Sequence, residues 1–252
     1  MKVALVRRPG SALSQGLVTH IERVPLDPEL ALEQWAGYVA ALAAAGWDTV
    51  EVSPADDCPD APFVEDALIV RDGAAVVTRP GAESRRAERP GAEEAARALG
   101  YDGLRIEPPG TLDGGDVLTG DGVLYAGVGG RTNADGARQL SSLLGVRVIE
   151  VSLAGVLHLK SAVTRLPDGS YAGYPPLLRD PLLFPALRAV PERSGANVIM
   201  LGGSSVLVAA DCPRSAELYA GLGFDPVAAD ISELQKREAD VTCLSVLAQR
   251  LT

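Results

Sequence analysis

Two histidines and three cysteines in 252 residues leave few ways to assemble nucleophilic or acid/base chemistry. Cys243, in Ala239-Asp240-Val241-Thr242-Cys243-Leu244-Ser245, offers a thiol nucleophile, and His158, in Val156-Leu157-His158-Leu159-Lys160-Ser161, offers a general acid/base. A free thiol, with a pKa near 8.5, is mostly protonated at neutral pH, so such a nucleophile needs a nearby cation or imidazolium. The flanks also suit plainer roles: Cys243 as a small buried hydrophobe among Val241, Leu244 and Val246, His158 as a satisfied core histidine between leucines. Cys58 and Cys212, each followed by proline, read as bystanders, and His20 lies in a polar stretch.

Three charged constellations add to this pair. Glu65 and Asp66 immediately precede an apolar run at 67–70, expected to be a strand; adjacent strand side chains point to opposite faces, so one carboxylate turns inward and needs a cation or donors. In Thr111-Leu112-Asp113-Gly114-Gly115-Asp116 two glycines permit close backbone approach between two acids, although an ordinary hairpin turn has the same composition. Arg85 and Arg131 each lie in a loop before a helical pattern, where a guanidinium can grip a carboxylate in two-point fashion.

The elements that must position these residues alternate along the chain. Short β-rich runs recur from 3–6 to 225–227, separated by helical patterns at 28–45, 90–99, 134–144 and 213–222, each ending at a glycine suited to a helix C-cap. A further short helix is expected at 181–189. Terminal glycines roughly 45 to 55 residues apart in the first two steps, with two or three strands and one helix in each unit, suggest a repeated ββαβ module. No low-complexity linker divides the chain, so one domain over 1–252 is expected.

Composition narrows the class. Hydrophobic residues make up 47% and aromatics only 4%, so the core must be built from Ala, Val and Leu. A net charge of −10, with no Lys/Arg run, disfavours nucleic acid and favours a cationic or zwitterionic small molecule. The odd cysteine count argues for a reducing, cytoplasmic setting, and no apolar stretch is long enough for export or membrane insertion.

Seven segments, in order, resemble the dimethylarginine dimethylaminohydrolase family of the guanidino-group-modifying (pentein) superfamily: Ser14-Gln15-Gly16-Leu17, Phe63-Val64-Glu65-Asp66, 79–85, Leu112-Asp113-Gly114-Gly115-Asp116, Arg131-Thr132-Asn133, His158-Leu159-Lys160-Ser161 and Thr242-Cys243-Leu244-Ser245. The resemblance implies an α/β fold, a five-bladed pseudo-symmetric α/β propeller of ββαβ repeats around a central channel. It implies Cys243 as nucleophile, His158 as general acid/base and Asp113 as the acid beside them. Glu65 and Asp66 would hold the substrate guanidinium, Arg85 and Arg131 its α-carboxylate, and Asp60 with the Leu17 backbone its α-amino end. The Arg237 carbonyl would accept a substrate N–H.

The implied reaction converts methylated arginines to citrulline through a covalent cysteine adduct, without cofactor, in a monomer or homodimer; a Cys/His pair can also take an inhibitory Zn²⁺ at Cys243 and His158. The chain departs from the family in carrying Glu238-Ala239-Asp240 where a glycine-containing turn is usual. Rival readings are an arginine deiminase or other amidine hydrolase releasing ammonia, and a non-catalytic propeller that only binds.

Overall fold

The computed structural model describes residues 1–153 and 155–251. Strand β1 (Lys2–Val6) is followed by helix α1 (Pro28–Ala44), which returns the chain to β2 (Asp48–Glu51) alongside and parallel to β1. Parallel neighbours need such a crossover, whereas antiparallel ones need only a tight turn, and the chain uses both in each unit. β3 (Leu68–Arg71) and β4 (Ala74–Val77) form an antiparallel pair, and α2 (Arg89–Ala98) leads to β5 (Gly103–Arg105), parallel to β4. The pattern repeats in β6 (Val117–Thr119), β7 (Val123–Val128), α3 (Ala134–Leu144) and β8 (Arg147–Ser152).

The fourth unit, β9 (Val163–Arg165), β10 (Tyr171–Gly173) and β11 (Leu187–Ala189), keeps the pairing without the helix. The fifth comprises β12 (Ile199–Gly202), β13 (Ser205–Ala209), α4 (Pro213–Gly221) and β14 (Asp225–Ala229). Finally β15 (Ser245–Gln249) pairs antiparallel with β1 and completes the first sheet. Five three-stranded sheets result, which is the five-bladed α/β propeller that the resemblance implies.

Local chemistry explains the helices. Asp27 caps α1 by accepting from the N–H groups of Glu29 and Leu30, and Pro28 sits in the first turn, where its missing donor costs nothing. The glycines expected to end α1 to α4, at 46, 100, 145 and 223, all adopt positive φ. The helix expected at 181–189 is not formed: a 3-10 turn at Pro181–Leu183 is followed by β11. Proline at 185 removes an N–H and clashes with the preceding turn, so no α-helix can run through it. Buried Ala, Val and Leu dominate the core, and the main aromatic cluster is Tyr125, Tyr171 and Phe184, where the third and fourth sheets meet. Among the described residues no helix is long and apolar enough to cross a membrane.

What positions the site is a feature repeated five times. Ahead of one edge strand of each sheet, β3, β6, β9, β12 and β15, the chain makes a short 3-10 turn: Val64–Ala67, Gly114–Asp116, Leu159–Ser161, Ser194–Ala196 and Val241–Leu244. The fifth, first, second, third and fourth turns pack against one another in that order, and Asn197, next to the fourth, accepts from Thr242 N–H in the fifth, which closes a ring.

Candidate active site

Four of the five turns deliver chemistry to the ring. Glu65 and Asp66 lie within the first turn rather than at a strand entrance, which corrects the alternating-face expectation; both are buried. Asp66 accepts from Gly115 N–H at 2.9 Å and is paired with Arg85. Glu65 points the other way, accepting from Lys160 Nζ at 2.6 Å and Thr242 Oγ1 at 2.9 Å.

Asp113 precedes the second turn and is fully buried; its Oδ2 lies 3.1 Å from His158 Nε2, and its Oδ1 accepts from Gly81 N–H at 2.8 Å. The two glycines serve close approach, as the sequence suggested. A Cβ on Gly114 would sit 1.9 Å from the Glu65 carbonyl oxygen, and one on Gly115 would sit 2.6 Å from His158 Nδ1. Asp116, also buried, accepts from Thr132 Oγ1 and Leu159 N–H.

His158 stands just ahead of the third turn, with Nδ1 3.7 Å from Asp66. Burial works to lower its pKa, but Asp66, Asp116 and Asp113 outweigh that and raise it to about 9. Correspondingly, burial alone would raise Asp66, yet His158 and Arg85 hold it down at about 2. Cys243, in the fifth turn, is pushed the opposite way: burial, then Glu65, Asp240 and Asp66, lift its thiol well above the ordinary value, against the Asp240 N–H, which donates to Sγ at 3.4 Å. At neutral pH the empty site therefore holds an imidazolium and a neutral thiol.

A small cavity brings Cys243 and His158 together with Leu17, Asp60, Asp66, Arg85, Arg131 and Arg237. Asp113 lies behind His158, outside the lining. Glu65 lies behind as well and lines a separate cavity, at the other side of the ring. Within the pocket, Arg131 Nη1 is 3.7 Å from Asp113, whereas Arg85 is deeply buried and already bound. Its Nε and Nη2 donate to Glu88, and Nη2 also to the Asp60 and Phe63 carbonyls. Asp60 receives Leu17 N–H on both carboxylate oxygens. The Arg237 side chain turns away to the carbonyls of Ser14, Val24 and Lys236.

No protein-family model matches the chain. It is, however, 57% identical to the N(G),N(G)-dimethylarginine dimethylaminohydrolase of Streptomyces coelicolor, over 99% of this chain and 98% of that one. The chain belongs to the dimethylarginine dimethylaminohydrolase family. Crystal structures agree on the fold. A dimethylarginine dimethylaminohydrolase adduct with S-methyl-L-thiocitrulline superposes with a TM-score of 0.91 at 33% identity, covering 98% of this chain and 100% of that one. A Pseudomonas aeruginosa cysteine-to-serine mutant complexed with citrulline gives 0.90 at 33% identity, over 97% and 98%.

The turn at 238–240 carries no glycine where the resemblance implies one. Glu238 adopts φ 60°, a conformation glycine takes freely and other residues take at a cost. Its carboxylate accepts from Thr19 N–H, Thr19 Oγ1 and His20 N–H, tying down the loop that carries Leu17. Sequence reading noticed the missing glycine but not this latch, because its partners are more than 200 residues away. It also missed Lys160 and Asn197 as neighbours of the site; Asn197 sits in a run that reads as strand. Among the described residues the cluster able to hold a metal is Asp66, Asp113 and His158, with ligand atoms within 4.8 Å of one another; Cys243 is outside it.

Proposed function

We propose that this chain hydrolyses Nω-methylated arginines, asymmetric dimethylarginine and monomethylarginine, to L-citrulline plus dimethylamine or methylamine. The observation that carries this reading is one small cavity holding Cys243 and the Asp113-supported His158, with Asp60, Asp66 and Arg131 around them. Such walls suit a zwitterion with a cationic head: Asp66, backed by the field of Glu65, faces the guanidinium, Arg131 faces the α-carboxylate with Arg85 behind it held by Asp66 and Glu88, and Asp60 beside Leu17 faces the α-amino group.

Catalysis begins with the substrate's positive charge. It offsets Glu65, Asp66 and Asp240, the acids that hold the thiol protonated, so Cys243 releases its proton to solvent as the cation enters. Sγ then bonds to the guanidinium carbon. The imidazolium of His158 transfers its proton to the methylated nitrogen, the C–N bond breaks, and the amine leaves behind an S-alkylthiouronium. His158, now neutral, takes a proton from water as that water attacks the same carbon. The C–S bond breaks as the remaining hydroxyl proton passes to solvent, releasing citrulline and the thiolate. Asp113 orients the ring and stabilises its charged form throughout. The chemistry needs no cofactor.

Mass-spectrometric product analysis tests this with wild type and Cys243→Ser incubated separately with asymmetric dimethylarginine, monomethylarginine and arginine. Citrulline with dimethylamine or methylamine, from wild type only, is expected. Citrulline with ammonia from arginine alone would establish a deiminase instead.

A further inference from the structure

Four of the five turns carry residues already given roles; the fourth, Ser194–Ala196, carries none, yet the residue that follows it is the best-connected side chain in the ring. Asn197 is buried. Its Oδ1 accepts from Thr242 N–H at 2.9 Å, the peptide next to Cys243. Its Nδ2 donates to the Lys160 carbonyl at 2.9 Å, two residues beyond His158, and to Thr242 Oγ1 at 3.1 Å. The orientation of the amide is unambiguous, because a backbone N–H can only donate and a carbonyl can only accept.

Thr242 Oγ1 donates a hydrogen bond to Glu65, and Glu65 also accepts from Lys160 Nζ, so Asn197, Thr242, Glu65 and Lys160 form a closed circuit. The backbone around Asn197 is independently held by Thr164, whose Oγ1 donates to the Ala196 carbonyl and accepts from Val198 N–H. Substituting the side chain therefore removes the bridge while leaving its foundation.

We propose that Asn197 is a positioning residue for the reaction, locking the turn that carries Cys243 to the turn that carries His158. This rests on the reading of those two residues as the reacting pair. Leucine has a similar size but neither donor nor acceptor; aspartate keeps the acceptor for Thr242 N–H but sets a carboxylate against the Lys160 carbonyl, near Glu65. Neither change touches Arg131 or Asp60, which face the far end of the substrate.

The test compares wild type, Asn197→Leu, Asn197→Asp and Thr242→Val for kcat, KM, citrulline affinity and the pH dependence of Cys243 alkylation by iodoacetamide, with folding checked by circular dichroism. Since displacing a reacting group by about 1 Å can cost about 100-fold, Asn197→Leu is expected to lower kcat by about that factor. KM and citrulline affinity should stay within about threefold, and the alkylation profile should move along the pH axis. Thr242→Val, which keeps the N–H bond to Asn197, should lose less and serves if the Asn197 variants do not fold. Folded variants with wild-type kcat and an unmoved alkylation profile would overturn the proposal. The alkylation readout needs no substrate, so a shift there in a protein inactive on methylarginines would sink the functional reading and leave the positioning role standing.

Discussion

His158 sits between two carboxylates, Asp113 at Nε2 and Asp66 at Nδ1, and keeps its proton to about 9 against an ordinary value near 6.5. The folded state thus binds this proton more tightly than the unfolded chain does. The resulting stabilisation is fully present below about pH 6.5 and is lost as pH climbs through about 9, a change of about 3 kcal/mol. Asp116 and Asp240, pushed up by burial to about 7 and about 6, are largely ionised by about pH 7.5. The fall in urea midpoint from about pH 7.5 to 9.5 should therefore shrink in His158→Gln, the remainder coming from thiols such as Cys243 and Cys212 that burial keeps protonated above their ordinary values. kcat/KM should decline above about pH 9 as the general acid is lost, and His158→Gln should cost 10²- to 10⁴-fold or so. Cys243 and His158 were legible as a pair because so few alternatives exist. Their unusual protonation was not, since it depends on which acids the turns gather around them.

At the scale of elements, the 3-10 turns matter more than the strands they introduce. Three-residue strands such as β6, β10 and β11 carry too little alternation to be seen in sequence, and β15 was hidden beside the cysteine motif. The helices with glycine stops were plain, apart from 181–189, where proline overrides apolar spacing. The latch at Glu238 gives an element-scale prediction. Hydrogen bonds to a charged acceptor contribute about 1.5–3 kcal/mol each, more than the cost of one residue at positive φ. Glu238→Gly should therefore loosen the 17–20 loop despite relieving the backbone, raising KM about tenfold with kcat little changed; Glu238→Gln should do less. Equal KM in both variants and wild type would mean that the Asp60 bond to Leu17 holds the loop unaided.

For the whole molecule, closure depends on β1, which pairs with β15 from the opposite end of the chain and with β2. We propose that the five sheets behave as one domain, because the ring of turns links each to the next. Trp35 and Trp47 both belong to the α1–β2 region and pack against the fifth sheet, Trp47 Nε1 donating to the Leu201 carbonyl, so fluorescence reports the seam between the first and fifth sheets while far-UV circular dichroism reports all five. The two unfolding curves should coincide. Leu5→Ala, at a fully buried position in β1, should shift both together by about 2–5 kcal/mol; separated curves would reveal independent units. Residue order alone sufficed for the repeat, the Ala/Val/Leu core and the candidates for reactive side chains, since each is written in local spacing or composition. Only the tertiary structure decided that Glu65 faces the Lys160 side of the ring, that Arg85 is held by Asp66 and Glu88, and that Asn197 joins the two reactive turns. Those outcomes depend on contacts between residues far apart in the chain, made when five separate turns meet at one axis.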